Sequence, residues 1–89
     1  MSAGRDTSGP LAPGTVIHGT VVAHHPWGIE LALEEAEAFG TVDRLFLSDD
    51  PVDMNEGHFP AIGTRLRAKV QGITPNGQLR LTIRVSDLD

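Results

Sequence analysis

The chain has 89 residues and no cysteine, which excludes a disulfide scaffold and a thiolate metal site. A protein without cysteine suits a reducing compartment, and residues 1–6 are not followed by the apolar run of a signal peptide. No segment approaches the roughly 18 apolar residues that a membrane-spanning helix needs. We therefore expect one small cytoplasmic domain that has no contact with a membrane.

Positive charge is scarce, with 7 Lys and Arg against 12 Asp and Glu and a net charge of −5. Nucleic-acid-binding chains usually carry an excess of basic residues, because each phosphate they contact is negative. The charges are, however, unevenly distributed: residues 64–86 hold five basic and no acidic residues, whereas residues 30–56 hold nine acidic and one basic residue. The sequence thus predicts a polarised molecule with a basic C-terminal half and an acidic middle.

Motifs for catalysis and metal binding are also missing. The sequence shows no nucleophile–base pair and no glycine loop that would cradle a phosphate. His24 and His25 are adjacent on a predicted strand, so their rings point to opposite faces and do not converge on one ion. No His-x-His or His-x₃-His spacing with a carboxylate is present. We therefore expect no enzyme activity, no metal and no cofactor.

Five β-rich segments make up most of the chain. Residues 1–12 are rich in Gly, Ser, Ala and Pro and have no periodicity, which predicts a disordered tail before a folded domain at 13–89. The Pro-Asn-Gly sequence at 75–77 predicts a tight hairpin, and the polar connection at 52–60 has room for one short helical turn. The predicted strands span residues 15–25, 28–33, 41–47, 64–73 and 78–85.

Alternating apolar residues assign a face to each side chain in these strands. The alternation predicts these residues inside: Ile29, Leu31, Leu33, Leu45, Leu47, Leu66, Ala68, Val70, Leu79, Leu81 and Ile83. It predicts these outside: Phe46, Arg65, Arg67, Lys69, Gln71, Arg80, Thr82 and Arg84. Five short strands with one long connection after the third favour an all-β, five-stranded Greek-key OB-fold barrel. An SH3-like barrel is the alternative on strand count alone.

The Trp27-Gly28 pair at the start of the second strand carries the strongest functional hint. Glycine lets the strand bulge, and the aromatic side chain then lies on the surface of the barrel. An exposed aromatic ring on a small barrel is a common platform on which a nucleobase stacks. The alternative is that Trp27 packs against Pro26 and the end of the barrel.

Residues 13–86 resemble the S1-type RNA-binding domain, a branch of the OB-fold family. The order and spacing of the matching stretches agree along nearly the whole folded part. The stretches that carry the resemblance are the Pro-Gly turn at 13–14, the Gly-x-Val pattern at 19–21, Trp-Gly-x-x-Leu at 27–31, the third-strand stretch at 43–48, the charged alternating run at 62–70 and the last strand at 80–83.

The resemblance implies an RNA-binding face that is kept in part. Trp27 keeps the aromatic before the glycine, whereas Glu30 replaces a second aromatic and adds a charge that repels phosphate. Phe46 stands in place of a third-strand His, Asn76 in place of an Asp, and Arg80 keeps an Arg of the last strand.

The function that this implies is weak binding of single-stranded RNA. Trp27 and Phe46 would stack bases, and Arg80 with Asn76 would hold a base or a phosphate. Arg67, Lys69 and Arg84 would add electrostatic attraction, although a charged row on a strand is most often simply solvated and discourages aggregation.

A second hypothesis is a protein-interaction module, since a fold does not fix a function. In this interpretation the barrel has lost most of its RNA affinity, and its acidic region, residues 30–56, binds a basic protein. For the first hypothesis we expect a monomer that associates with RNA, on the ribosome or in RNA processing.

Overall fold

The computed structural model describes residues 12–35, 37–75 and 77–88, with only the backbone of Asp53, Met54 and Glu56. The tail predicted for residues 1–12 lies outside this range except for its last residue, and Asn76 of the predicted hairpin lies outside it as well. No helix in these ranges is long and apolar enough to cross a membrane. The strands are β1 Val16–His25, β2 Gly28–Leu33, β3 Phe39–Asp43, β4 Arg65–Ile73 and β5 Leu79–Thr82.

The five strands form a closed barrel in the order β1-β2-β3-β5-β4, and β4 pairs with β1 to complete it. All pairs are antiparallel except β3 and β5, which run parallel. Short 3₁₀ helices at Arg44–Phe46, Pro51–Met54 and Glu56–His58 fill the connection between β3 and β4. The predicted five-stranded OB barrel and its helical turn after the third strand are confirmed.

The core lies inside the barrel, as the alternation predicts. Leu47 and Phe59 come from the connection after β3 and also belong to this core. Burying a side chain of this size stabilises the fold by about 1.5–3 kcal/mol. The buried apolar residues are Ile17, Val21, Ile29, Leu31, Leu33, Val42, Leu47, Phe59, Ala68, Val70, Leu79 and Leu81.

The third strand is shorter than predicted. It ends at Asp43, whose side chain accepts a hydrogen bond from the Leu45 N–H at 3.0 Å and caps the 3₁₀ helix that follows. A 3₁₀ helix has three residues per turn, so the two-residue alternation stops at Asp43. Leu45 is therefore 51% exposed, and Phe46 packs in part against the core. The predicted inward position of Leu45 is wrong.

The fifth strand is also shorter than predicted. Thr82 was predicted to be exposed, and this prediction is wrong because Thr82 is buried. The strand ends at Thr82, and a helical turn, α1 Val85–Leu88, follows. The Thr82 hydroxyl donates to Asp87 Oδ2 at 2.6 Å. Thr82 is buried because this C-terminal turn folds back over the outer side of β5.

Two β-bulges interrupt the register, one on β1 and one on β4. The second shifts the pairing between Val70 and Gly72, so Gln71 is the extra residue beside β5. A bulge bends its strand and re-aims the neighbouring side chains. Gly72 pairs with Arg80, and the bulge therefore brings Gln71 close to that arginine.

Candidate nucleic-acid interface

The Trp27-Gly28 corner depends on the missing side chain of Gly28. Its φ is +153°, and a Cβ atom there would lie 2.0 Å from the Val42 carbonyl oxygen. Only glycine fits this close approach between β2 and β3. The Trp27 carbonyl accepts a hydrogen bond from the Arg44 N–H at 2.7 Å, which fixes the corner against the end of β3.

The Trp27 ring lies on the surface and is 43% exposed. The His25 ring stacks on it, with centroids 4.6 Å apart and planes 5° apart. Such parallel, closely spaced rings cover one face of the indole. The part that His25 leaves uncovered borders a cleft, so the ring remains accessible to a ligand.

This first cleft has a volume of about 230 Å³. Thr41 and Arg80 stand side by side in its floor, because they are register partners in the parallel β3–β5 pair. In the described parts of the chain no carboxylate forms an ion pair with Arg80. The residues that line the cleft are Trp27, Thr41, Asp43, Gln71, Thr74, Gln78, Arg80 and Leu81.

A second cleft, of about 350 Å³, adjoins the first and shares Gln71 and Arg80 with it. Its aromatic member is Phe46, and the Arg84 guanidinium lies 4.8 Å from the centre of that ring. Phe46 is thus covered on one side by a cation, as Trp27 is covered by His25. We call the surface formed by Trp27, Thr41, Asp43, Phe46, Gln71 and Arg80 the cleft face.

Glu30 stands where the S1-type pattern has a second aromatic residue, and it lies beside the cleft face. It is the register partner of Thr41, so Glu30, Thr41 and Arg80 form one row across three strands. The His25 Nε2 atom lies 3.3 Å from Glu30 Oε1. His25 therefore contacts both residues: its ring stacks on Trp27, and its Nε2 atom pairs with the Glu30 carboxylate.

The other described residues that were predicted to contact RNA do not line the first cleft. Arg84 pairs with Asp87 through two hydrogen bonds of 2.7 and 3.1 Å, which raise the pKa of Arg84 and lower that of Asp87. Arg67 and Lys69 lie on β4 opposite β1 and line neither cleft. Of the predicted site residues the structure brings Trp27, Phe46 and Arg80 together, with Arg84 attached through Phe46. Asn76 lies outside the described residues.

Sequence reasoning missed several residues of the cleft face. Asp43 was not singled out, although an Asp just before a short helix is a common capping residue. Gln71 was predicted on the outer face of β4 but given no role, because a bulge in that strand cannot be recognised from the alternation of one strand. Thr41 was assigned to a strand without any role.

The opposite end of β3 is acidic, and we call Glu34, Glu35, Glu37 and Phe39 the acidic end. These residues border a depression of about 570 Å³. Arg65 donates two hydrogen bonds to Glu34 and lowers its pKa. The His18 backbone N–H donates to Glu35 at 3.0 Å and lowers the pKa of that carboxyl. In the described ranges no group of three His, Cys, Asp or Glu side chains is placed to hold a metal ion.

No family model and no curated protein matches the chain, whereas solved structures do. GSP13 from Bacillus subtilis matches with a TM-score of 0.71 and 24% identity over 86% of this chain and 58% of its own. The intact alpha subunit of aIF2 from Pyrococcus abyssi matches with a TM-score of 0.70 and 24% identity, over 81% of this chain and 28% of that subunit.

The chain has the S1-type OB fold. RNase R of Mycoplasma genitalium, in a complex with ribose-methylated single-stranded RNA, also matches, with a TM-score of 0.65 and 22% identity over 80% of this chain and 13% of its own. This chain spans just over half the length of GSP13 and smaller fractions of the other two. At these identities the likeness is one of fold, and it confirms the predicted S1-type barrel.

Proposed function

We propose that this S1-type barrel is a non-enzymatic domain that binds single-stranded RNA on its cleft face. One observation carries the proposal: two aromatic rings, Trp27 and Phe46, border adjoining clefts that share Arg80. Arg80 has no ion-pair partner in the described part of the chain. Stacking surfaces with a cation between them are what the bases and phosphates of a single strand require.

In the proposed complex one base stacks on the part of Trp27 that His25 leaves uncovered, and a neighbouring base stacks on Phe46. Arg80 contacts the nucleotide that joins them. Few cations surround the cleft face, while Asp43 within it and Glu30 beside it add negative charge. We therefore expect weak binding that decreases further as salt is added.

Two structures of similar fold supply a precedent. RNase R is in complex with single-stranded RNA, and the matching a/eIF2alpha of Pyrococcus horikoshii is in a complex that contains rRNA. Their identities to this chain are 22% and 24%. They support the proposal by showing that proteins containing this fold occur in RNA complexes.

The test is titration of a fluorescently labelled single-stranded RNA octamer at low salt, read by anisotropy. Trp27→Ala removes a stacking surface worth about 1–3 kcal/mol, so we expect the Kd to increase about 5- to 150-fold. Phe39→Ala is the matched control, because Phe39 is an exposed aromatic that lines neither cleft. The proposal fails if the wild type does not bind RNA, or if both variants weaken binding equally.

A second candidate function, binding of a basic protein, is favoured by the acidic end. Phe39 is 59% exposed there, in the depression that Glu37 also borders. An apolar ring with acids around it suits a segment rich in Lys and Arg. An amide chemical-shift titration with a Lys/Arg-rich peptide separates the two functions. Shifts around Phe39 support protein binding, and shifts around Trp27 with RNA support the first proposal.

A further inference from the structure

We propose that Asp43 makes the first cleft a subsite that prefers guanine, an inference that rests on the proposed RNA binding. The juxtaposition that suggests it is a carboxylate and a guanidinium, Asp43 and Arg80, that border one cleft beside an exposed indole. The stacking ring would hold any base, whereas the two charged groups would select one.

Asp43 is placed to contact a base that stacks on Trp27. It lies on the outer side of β3, two residues after Thr41, and its register partner on β2 is Gly28. Gly28 has no side chain, so nothing on that strand separates Asp43 from the Trp27 corner. The carboxylate therefore borders the space next to the indole.

One oxygen of this carboxylate is already used, and the other is available. Oδ1 accepts the Leu45 N–H at 3.0 Å, which holds the side chain in one orientation. In the described ranges Oδ2 accepts no hydrogen bond. Each carboxylate oxygen has two acceptor sites, so a bidentate ligand is compatible with the existing bond. Asp43 thus presents a fixed pair of acceptors.

Arg80 supplies donors on the same cleft without neutralising Asp43. The described residues show no ion pair between the two, although both line the cleft. An acid and a base that share a cleft but stay apart leave room for a ligand with donors on one edge and acceptors on another. The indole of Trp27, on which His25 stacks, lines the same cleft and supplies a flat surface.

Guanine is the base whose edges fit this arrangement. Its Watson–Crick edge carries two adjacent donors, N1–H and the N2 amine, which match the two oxygens of a carboxylate. Its O6 and N7 atoms are acceptors, and Arg donates to both in the commonest specific contact with this base. Guanine therefore satisfies both charged groups at once.

The other bases satisfy only part of the site. Adenine and cytosine each offer one exocyclic amine to a carboxylate, and next to it a ring nitrogen acceptor that faces the second oxygen. Uracil offers a single ring N–H between two carbonyl groups. A site built to hydrogen-bond particular groups rejects a ligand that lacks them, because its own polar groups then stay unpaired.

The volume of the cleft agrees with a single base. At about 230 Å³ it is below the roughly 300–1,000 Å³ of pockets that enclose drug-sized molecules. One planar ring system fits such a space, and the rest of the strand continues past Arg80 to the second cleft, which shares that residue.

The experiment compares oligouridine octamers that carry one central guanosine, inosine, adenosine or cytidine with the all-uridine octamer. For the full chain we expect the guanosine octamer to bind about 5- to 30-fold more tightly than the all-uridine one. Inosine lacks the N2 amine and should fall between them. Asp43→Asn keeps an oxygen for the Leu45 cap and replaces one acceptor by a donor, so the preference should disappear while the affinity for oligouridine is kept or rises.

Asp50→Asn is the matched control. Asp50 caps the next 3₁₀ helix in the same way, with Oδ1 accepting the Val52 N–H at 3.0 Å, and it lines neither cleft. It should keep the guanosine preference. Thermal unfolding of both variants establishes that each is folded.

The outcomes separate this inference from the function on which it rests. Equal affinity of the wild type for all octamers overturns the guanine preference and leaves RNA binding intact. No binding to any octamer overturns both. A guanosine preference that Asp43→Asn leaves unchanged, or that Asp50→Asn also abolishes, overturns the role of Asp43.

Discussion

The cleft face and the acidic end both present an exposed aromatic residue among charged groups, yet they use their charges differently. At the acidic end Glu34 is held by Arg65, and Glu35 is held by His18. On the cleft face Arg80 and Asp43 border the same space without forming an ion pair in the described structure.

This difference separates charges that hold the barrel together from charges that are available to a ligand. The Arg65–Glu34 pair ties the segment after β2 to β4, and its hydrogen bonds are made within the protein. Arg80 is on a strand that closes the barrel, and it lines a cleft. Exposure and charge alone would make the cleft face and the acidic end equally good candidates for a ligand site. The pairing of the charges distinguishes them, because Asp43 and Arg80 have no ion-pair partner among the described residues, whereas Glu34 and Glu35 each have one.

The largest effect should come from Gly28→Ala, which disrupts the Trp27 corner of the cleft face and leaves the acidic end unchanged. The new Cβ would overlap the Val42 carbonyl in a backbone conformation that favours glycine. We expect the free energy of unfolding to fall by about 2–4 kcal/mol, measured by chemical denaturation.

Gly57→Ala is the control, since a Cβ at Gly57 meets no atom within 4 Å and its φ is not positive. It should change the stability by less than about 0.5 kcal/mol. If Gly28→Ala were equally mild, the close approach of β2 to β3 would not be what positions Trp27.

A smaller effect is expected from removing one arginine from each region. Arg80→Ala should weaken RNA binding about 5- to 10-fold at low salt and reduce the slope of log K against log salt concentration by about 1. Arg65→Ala removes the same charge from a residue that is paired with Glu34, so the Kd should change less than about twofold. RNA affinity measured over a salt series distinguishes the two. Equal losses would mean that only the net charge matters.

The smallest effect is expected for Asp87→Asn, which tests a paired charge next to the cleft face. Hydrogen bonds from Arg84 and Thr82 hold the pKa of Asp87 below its ordinary value of 3.8. The ionised carboxylate therefore stabilises the fold at neutral pH, and this contribution is lost as the pH falls from 3.8 through the lower value of the folded state.

We expect the variant to unfold at a lower temperature than the wild type at pH 7, with a difference that shrinks below pH 3.8. RNA affinity should not decrease, because Asp87 lines neither cleft. A stability difference that is constant across pH would contradict the assigned role of the Asp87 carboxylate.

Much of the barrel could be predicted from the sequence, because alternation depends only on neighbouring residues. Ile29, Leu31, Val70 and Leu81 are buried as expected. The predictions were wrong where the period changes, as at Leu45, or where a later segment covers a strand, as at Thr82. The capping residue Asp43 is the one signal of the first event, and the second event leaves no signal within the strand itself.

The candidate site was predictable in outline and not in detail. The family resemblance identified Trp27, Phe46 and Arg80, which the fold brings together. It did not identify the stack of His25 on Trp27 or the position of Gln71 in both clefts, since these depend on a turn and a bulge whose geometry is set by other strands. The Arg65–Glu34 pair joins residues 31 positions apart, and such pairing cannot be read from composition.

The parallel β3–β5 pair also determines when the site exists during folding. The Thr41 hydroxyl donates to the Leu79 carbonyl 38 positions away, so the floor of the first cleft forms only when the last strand docks. Contacts of such long range form slowly. A growing or truncated chain without β5 would have Trp27 and no first cleft, and the proposed RNA ligand would stabilise only the closed barrel. Closure of the barrel and formation of the first cleft are therefore one event.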